Sequence, residues 1–166
     1  MHKMGYRNDQ RLRFNRPSDK KLDEYYECAV EYFLALNKSF RPIKQLFESD
    51  APSSVVGRHR GADGGHLLFR PIGLEIFTRV AIRYATQREI SIDVAVGHMK
   101  GLPTSLSGTP LRGVLWDPDR RTVVVKGKRL AVHLYAYMLG LPEEKEKLLA
   151  DYRLATERKL ALPRVI

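Results

Sequence analysis

Apolar residues recur at three- and four-residue intervals along most of the chain, and breaks in that rhythm divide it into helices. Leu22, Tyr25 or Tyr26, Ala29 or Val30, Phe33 and Leu36 define one such face, while Lys21, Asp23, Glu24, Glu27 and Glu31 fall mostly elsewhere on the wheel. The pattern predicts a first long helix with one broad buried side, capped by Ser18 and carrying Asp19 where the helix dipole favours a negative charge. Asn37, Lys38 and Ser39 interrupt it. Pro42 then restarts a short helix with Ile43, Leu46 and Phe47 on its apolar side, and residues 48–54 read as a turn-rich connector. Val55 and Val56, and later residues 66–69, read as short extended segments flanking a glycine-rich loop. From Ile72 to about Ala85 the chain is apolar on most sides, which predicts the helix at the centre of the core. Only Glu75, Arg79 and Arg83 form a polar stripe there, with Glu75 preceding Arg79 in the favourable ion-pair order; that stripe is left for solvent or a ligand.

Ser91 is placed to cap a short helix through Met99, with Ile92, Val96 and Met99 on one face, and residues 101–110 follow as a surface loop. Residues 112–126 read as two β-rich runs around an Asp117-Pro118-Asp119 turn, a hairpin signal, with Trp116 as a core anchor. Lys128 to Leu139 reads as a helix stopped by Gly140. Pro142 is predicted to start the last helix, with Glu143 and Glu144 in its first turn and Leu148, Leu149, Tyr152 and Ala155 facing inward. The fold class expected is α+β: one helix-dominated domain of about six helices with a small β-hairpin, over residues 18–157. Residues 1–17 read as a basic arm, in which Arg11 to Phe14 alternate as an edge strand would, and residues 158–166 as a mobile tail or one that docks elsewhere. No internal repeat divides the chain.

Charge narrows the partner. Twenty-nine Lys and Arg against 19 Asp and Glu give a formal charge of +10 and a pI of about 9.9, the footprint of a protein that meets phosphates. No stretch reaches the ~20 apolar residues of a membrane span, and MHKMGYRNDQRLRF has no apolar export region, so the expectation is a cytoplasmic protein with no membrane partner. Cys28 is the single cysteine, which excludes an internal disulfide, and it reads as a small core or boundary residue. The five histidines are scattered without ligand spacing, so no metal is expected. Neither GxSxG, nor GxxxxGK[ST], nor GxGxxG is present, so acyl transfer and the common nucleotide folds lack a motif, and no cofactor is expected.

The candidate chemistry lies in residues 57–70, where Gly57, Gly61, Gly64 and Gly65 are interleaved with Arg58, His59, Arg60, His66 and Arg70. Pro71 opens a helix directly behind them, so a phosphate could meet basic side chains and a positive helix end together. The competing reading uses Arg58 and Arg70 to pin the loop, through Asp63, Glu75 or backbone carbonyls. Lys126, Lys128 and Arg129 make a second basic cluster, and Arg120 with Arg121 a third; contacts of this kind fix position on a nucleic-acid backbone without reading sequence. His66 and Asp63 lie close together in sequence and could serve as an acid–base pair, though a structural role or a phosphate contact is the reading preferred for them, and His98 and His133 read as surface or satisfied core residues.

The segments GRHRGADGGHLLFRPIGLEIFTRVAI and LPTSLSGTPLRGVLWDPDRRTVVVKGKRLAVHLYAYMLGL, together with LNKSFRPIKQLF, resemble the C-terminal part of DGQHR-domain proteins. That family includes the DndB proteins associated with bacterial DNA phosphorothioate modification. The resemblance runs from about Ser18 to Tyr152 and implies a bacterial, DNA-linked protein of a modification or phage-defence system. The name-giving pentapeptide is absent: Asp63-Gly64-Gly65-His66-Leu67 lacks both its Gln and its Arg, and no role is carried onto it. The expected function is a non-catalytic nucleic-acid-binding or regulatory module. The alternative is a protein-interaction scaffold docking a missing N-terminal half or partner subunit, and a nuclease or nucleotide-dependent enzyme using His66 and Asp63 ranks third.

Overall fold

The computed structural model describes residues 16–166. Among them are seven α-helices: α1 (Asp19–Ser39), α2 (Arg41–Phe47), α3 (Pro52–His59), α4 (Pro71–Arg88), α5 (Ile92–His98), α6 (Lys128–Met138) and α7 (Lys145–Thr156). Between α5 and α6, β1 (Trp116–Asp117) pairs antiparallel with β2 (Thr122–Val123), Trp116 opposite Val123. The architecture is therefore a helix-dominated α+β domain. The predicted residues Arg11 to Phe14 lie outside the described residues, and no helix among those described is long and apolar enough to cross a membrane.

α4 is the centre of the core, as its all-round apolar pattern predicts. Ile76, Phe77, Val80 and Ala81 are fully buried, and the helix packs on α5, on α6 and on the short turn Leu67–Phe69 that leads into it. Phe77 meets Phe40 and Tyr135 edge to face, with ring centroids 5.4 and 5.8 Å away. Tyr135 is wholly buried; its hydroxyl donates to the Pro103 carbonyl, and burial pushes the phenol well above its ordinary pKa. Trp116 is buried too, as expected of a core anchor.

The polar stripe of α4 is not left for a ligand. Glu75 bonds Arg79 at 2.8 Å and receives Lys128 at 2.9 and 3.0 Å, which fastens the start of α6. Arg83 pairs with Glu143 and donates to the Pro142 carbonyl, which fastens the turn after α6. The stripe is thus a row of struts between helices.

Several expectations change. Val55 and Val56 are helical, not extended: Pro52 starts α3, which buries Val55, and this is the seventh helix. Residues 67–69 form a 3₁₀ turn instead of a strand. The last helix begins at Lys145, three residues after Pro142, because the Glu143 side chain turns back to Arg83 and His133. The hairpin strands are only two residues each, since Arg121 adopts a left-handed φ of 49° and the Asp117 carboxylate closes the turn on the Asp119 and Arg120 amides, both at 3.0 Å. Residues 158–166 lie on the body: Leu160 and Leu162 pack against the core, and the Ile166 amide donates to the Met138 carbonyl at 2.8 Å. On α1, the buried residues are Tyr32, Ala35 and Leu36, whereas Leu22, Tyr26, Ala29, Val30 and Phe33 are exposed, as is Cys28. Phe47 of α2 is exposed as well.

Candidate nucleic-acid interface

The glycine-rich loop after α3 is closed from inside by two arginines. Arg70 donates to the Gly64 carbonyl through Nε at 3.2 Å and Nη2 at 3.0 Å, and to the Arg60 carbonyl at 3.2 Å. Arg60 in turn donates to the Phe69 carbonyl at 2.7 Å. Each arginine holds the strand that carries the other. The polar groups gathered inside the loop are therefore carbonyls, whereas an anion cradle presents N–H groups.

Two glycines make that closure possible. Gly65 has a φ of +73° and sits so close to α3 that an added Cβ would lie 2.1 Å from the His59 carbonyl oxygen, which accepts from the His66 amide at 2.8 Å. Gly64, at a φ of +89°, rests on the Trp116 ring, where a Cβ would come within 2.8 Å. The loop is thereby seated against the base of the hairpin. Next to it, the Gly65 carbonyl accepts from Leu106, and the Leu67 amide donates to Thr104.

His66 is a structural residue in this setting. Its Nδ1 accepts from the Leu68 amide at 3.2 Å, so it caps the 3₁₀ turn. Burial, reinforced by neighbouring His59, lowers its pKa to about 4, so the ring is neutral at ordinary pH. His59 stacks on Phe69 with centroids 4.5 Å apart and meets His66 edge-on. Asp63 is exposed and forms no hydrogen bond or ion pair with His66, whose Nδ1 is taken by the Leu68 amide, so the acid–base pair suggested by their closeness in sequence is not assembled. The start of α4 is covered as well: a Cβ on Gly73 would lie 1.9 Å from the Leu67 carbonyl oxygen, and the Gly73 and Leu74 amides already bond the Arg70 carbonyl.

Of the eight residues singled out, the structure commits Arg60, Arg70, His59 and His66 to the loop and Lys128 to Glu75. Arg58, Lys126 and Arg129 are exposed, and their side chains form no hydrogen bond or ion pair with another described residue. Arg112 and Arg121 share that condition, and Arg120 reaches only Asp117, at 3.8 Å across an exposed turn. Residues 112–129 hold six cations against two carboxylates. Four of the six, Arg112, Arg121, Lys126 and Arg129, are exposed without an ion pair to another described residue, on a segment that includes the Trp116 ring supporting the loop.

A groove of about 660 Å³ opens beside that surface, between α6 and α7, with Lys126 and Arg129 on one wall and Glu144 and Asp151 on the other. At its end His133 Nδ1 lies 2.8 Å from Glu143, whose side chain is only 8% exposed and also pairs with Arg83. Sequence spacing gives no sign of this cluster, because His133 and Glu143 are ten positions apart across a helix end and Arg83 is 60 positions from Glu143. No group of three or more residues suited to hold a metal ion occurs among the described residues. The chain matches no family model, no curated protein and no solved structure.

Proposed function

We propose that the chain is a non-catalytic nucleic-acid-binding module that grips the phosphate backbone through the hairpin and the turn into α6. The observation that carries this reading is the set of exposed cations at Arg112, Arg121, Lys126 and Arg129, which no carboxylate among the described residues engages. Lysine and arginine contacts to phosphates release counterions, so the binding free energy comes from charge and is largely indifferent to sequence. Arg58, exposed in the last turn of α3, is a further cation open to a phosphate. The resemblance of the chain to the C-terminal part of DGQHR-domain proteins supports DNA as the polymer and a modification or phage-defence system as the setting.

The test is the affinity for a labelled duplex measured by fluorescence anisotropy over a range of salt concentrations. Log affinity falls linearly with log salt, at a slope of about −0.9 per phosphate neutralised. A slope near zero, or no binding at low salt, contradicts the reading.

A further inference from the structure

The first half of α1 carries an apolar stripe that stays exposed beside the other described residues. Leu22, Tyr26, Ala29, Val30 and Phe33 lie along one side and are exposed, Tyr26 by 72% and Phe33 by 43%. At 3.6 residues per turn this stripe lies roughly 100° around the axis from Tyr32, Ala35 and Leu36, which face the body. Glu27 and Glu31 fall on a third side. The stripe is therefore a second apolar face, separate from the one that holds α1 to α5 and α2.

We propose that the stripe pairs two copies of the chain, α1 against α1, antiparallel about a twofold axis passing near Glu27 and Cys28. Leu22, Tyr26, Ala29 and Phe33 follow the alternating four- and three-residue spacing of a coiled-coil seam. In the antiparallel register Tyr26 lies opposite Ala29 of the second copy, and Leu22 opposite Phe33. Each large ring meets a smaller side chain, and the interface is complementary to itself as twofold symmetry requires. Charge is compatible: Asp23 comes opposite Val30, while Glu24, Glu27 and Glu31 stand on sides turned away from the contact. The exposed parts of the stripe residues amount to on the order of 500 Å² per copy, so the pair covers on the order of 1,000 Å², the size from which a specific interface is sustained. Nucleic acid is a poor occupant, because residues 19–31 carry five carboxylates and two lysines within a chain of net charge +10.

Sedimentation velocity of the full chain without nucleic acid, over a hundredfold concentration range, tests the pairing. The expected result is a reversible monomer–dimer equilibrium that the double change Tyr26→Glu, Phe33→Glu weakens at least tenfold. Leu154→Glu, at a residue 80% exposed on α7, leaves it unchanged. A nitroxide on Cys28, the only cysteine, gives an independent reading in the otherwise unaltered chain: antiparallel helices in contact place the two labels roughly 20–30 Å apart. A chain monomeric throughout, a dimer indifferent to the double change, or labels much farther apart overturns the proposal.

Discussion

Residues 57–70 and residues 112–129 are both rich in basic side chains, yet the fold uses their charge in opposite ways. In the first stretch Arg60 and Arg70 turn inward onto the Phe69, Gly64 and Arg60 carbonyls; in the second, Arg112, Arg121, Lys126 and Arg129 are exposed with no partner among the described residues. The difference is the local supply of acceptors. Gly64 and Gly65, at positive φ, turn the loop so that its carbonyls converge, and a guanidinium fork satisfies several of them at once. The hairpin turn is closed by the Asp117 carboxylate on backbone amides, so it needs no cation from the cluster. A run of basic residues marks a binding surface only where the backbone does not absorb it.

The largest expected effect comes from disturbing the closed loop. Gly65→Ala sets a Cβ against the His59 carbonyl at a φ of +73° and should cost about 3 kcal/mol or more, read as a fall of roughly 6–12 °C in Tm by calorimetry. Arg70→Ala leaves the Gly64 and Arg60 carbonyls without their donors and should cost about 2 kcal/mol in denaturant unfolding, while the folded fraction keeps its salt slope for DNA. Replacing Arg121, Lys126 and Arg129 together by alanine should do the reverse: stability within about 0.5 kcal/mol of the parent for each change, and a salt slope shallower by about 2 to 3.

A smaller effect separates His66 from a titrating ligand contact. In the fold its pKa is held near 4, against 6.5 ordinarily, so the unfolded chain binds a proton that the folded chain refuses. The stability present above pH 6.5 therefore declines as pH falls toward 4 and then levels, as far as this residue is concerned. His66→Asn, which keeps an acceptor for the Leu68 amide, should flatten that part of the stability-versus-pH curve; an unchanged curve would show that the ring titrates normally.

Much of the framework is legible in the sequence, for physical reasons that can be named. Ser18 accepts from the Lys21 amide as a cap should, Pro71 opens α4, Gly140 follows α6 at a φ of +70°, and the apolar density of residues 72–85 marks the buried helix. Helix α3 was hidden because its interior combines two valines, two serines and Gly57, all weak helix formers, and its order depends on burying Val55. The covered face of α1 is not legible in the sequence, because periodicity shows that a side is apolar without showing what covers it. The destination of each guanidinium was likewise hidden, since carbonyls that converge through Gly64 and Gly65 leave no trace in spacing. Glu143 illustrates the same limit: a glutamate after Pro142 reads as a first-turn charge until tertiary packing brings Arg83 and His133 to it.

The most direct test of the contrast between the two regions is the salt slope of duplex binding, compared between Arg70→Ala and the Arg121, Lys126, Arg129 triple alanine variant at a temperature where both are folded. The account predicts that the triple variant loses about 2 to 3 from the slope and Arg70→Ala loses nothing. A loss confined to Arg70→Ala, with the triple variant binding as the parent does, would return the phosphate contact to the glycine-rich loop and contradict it.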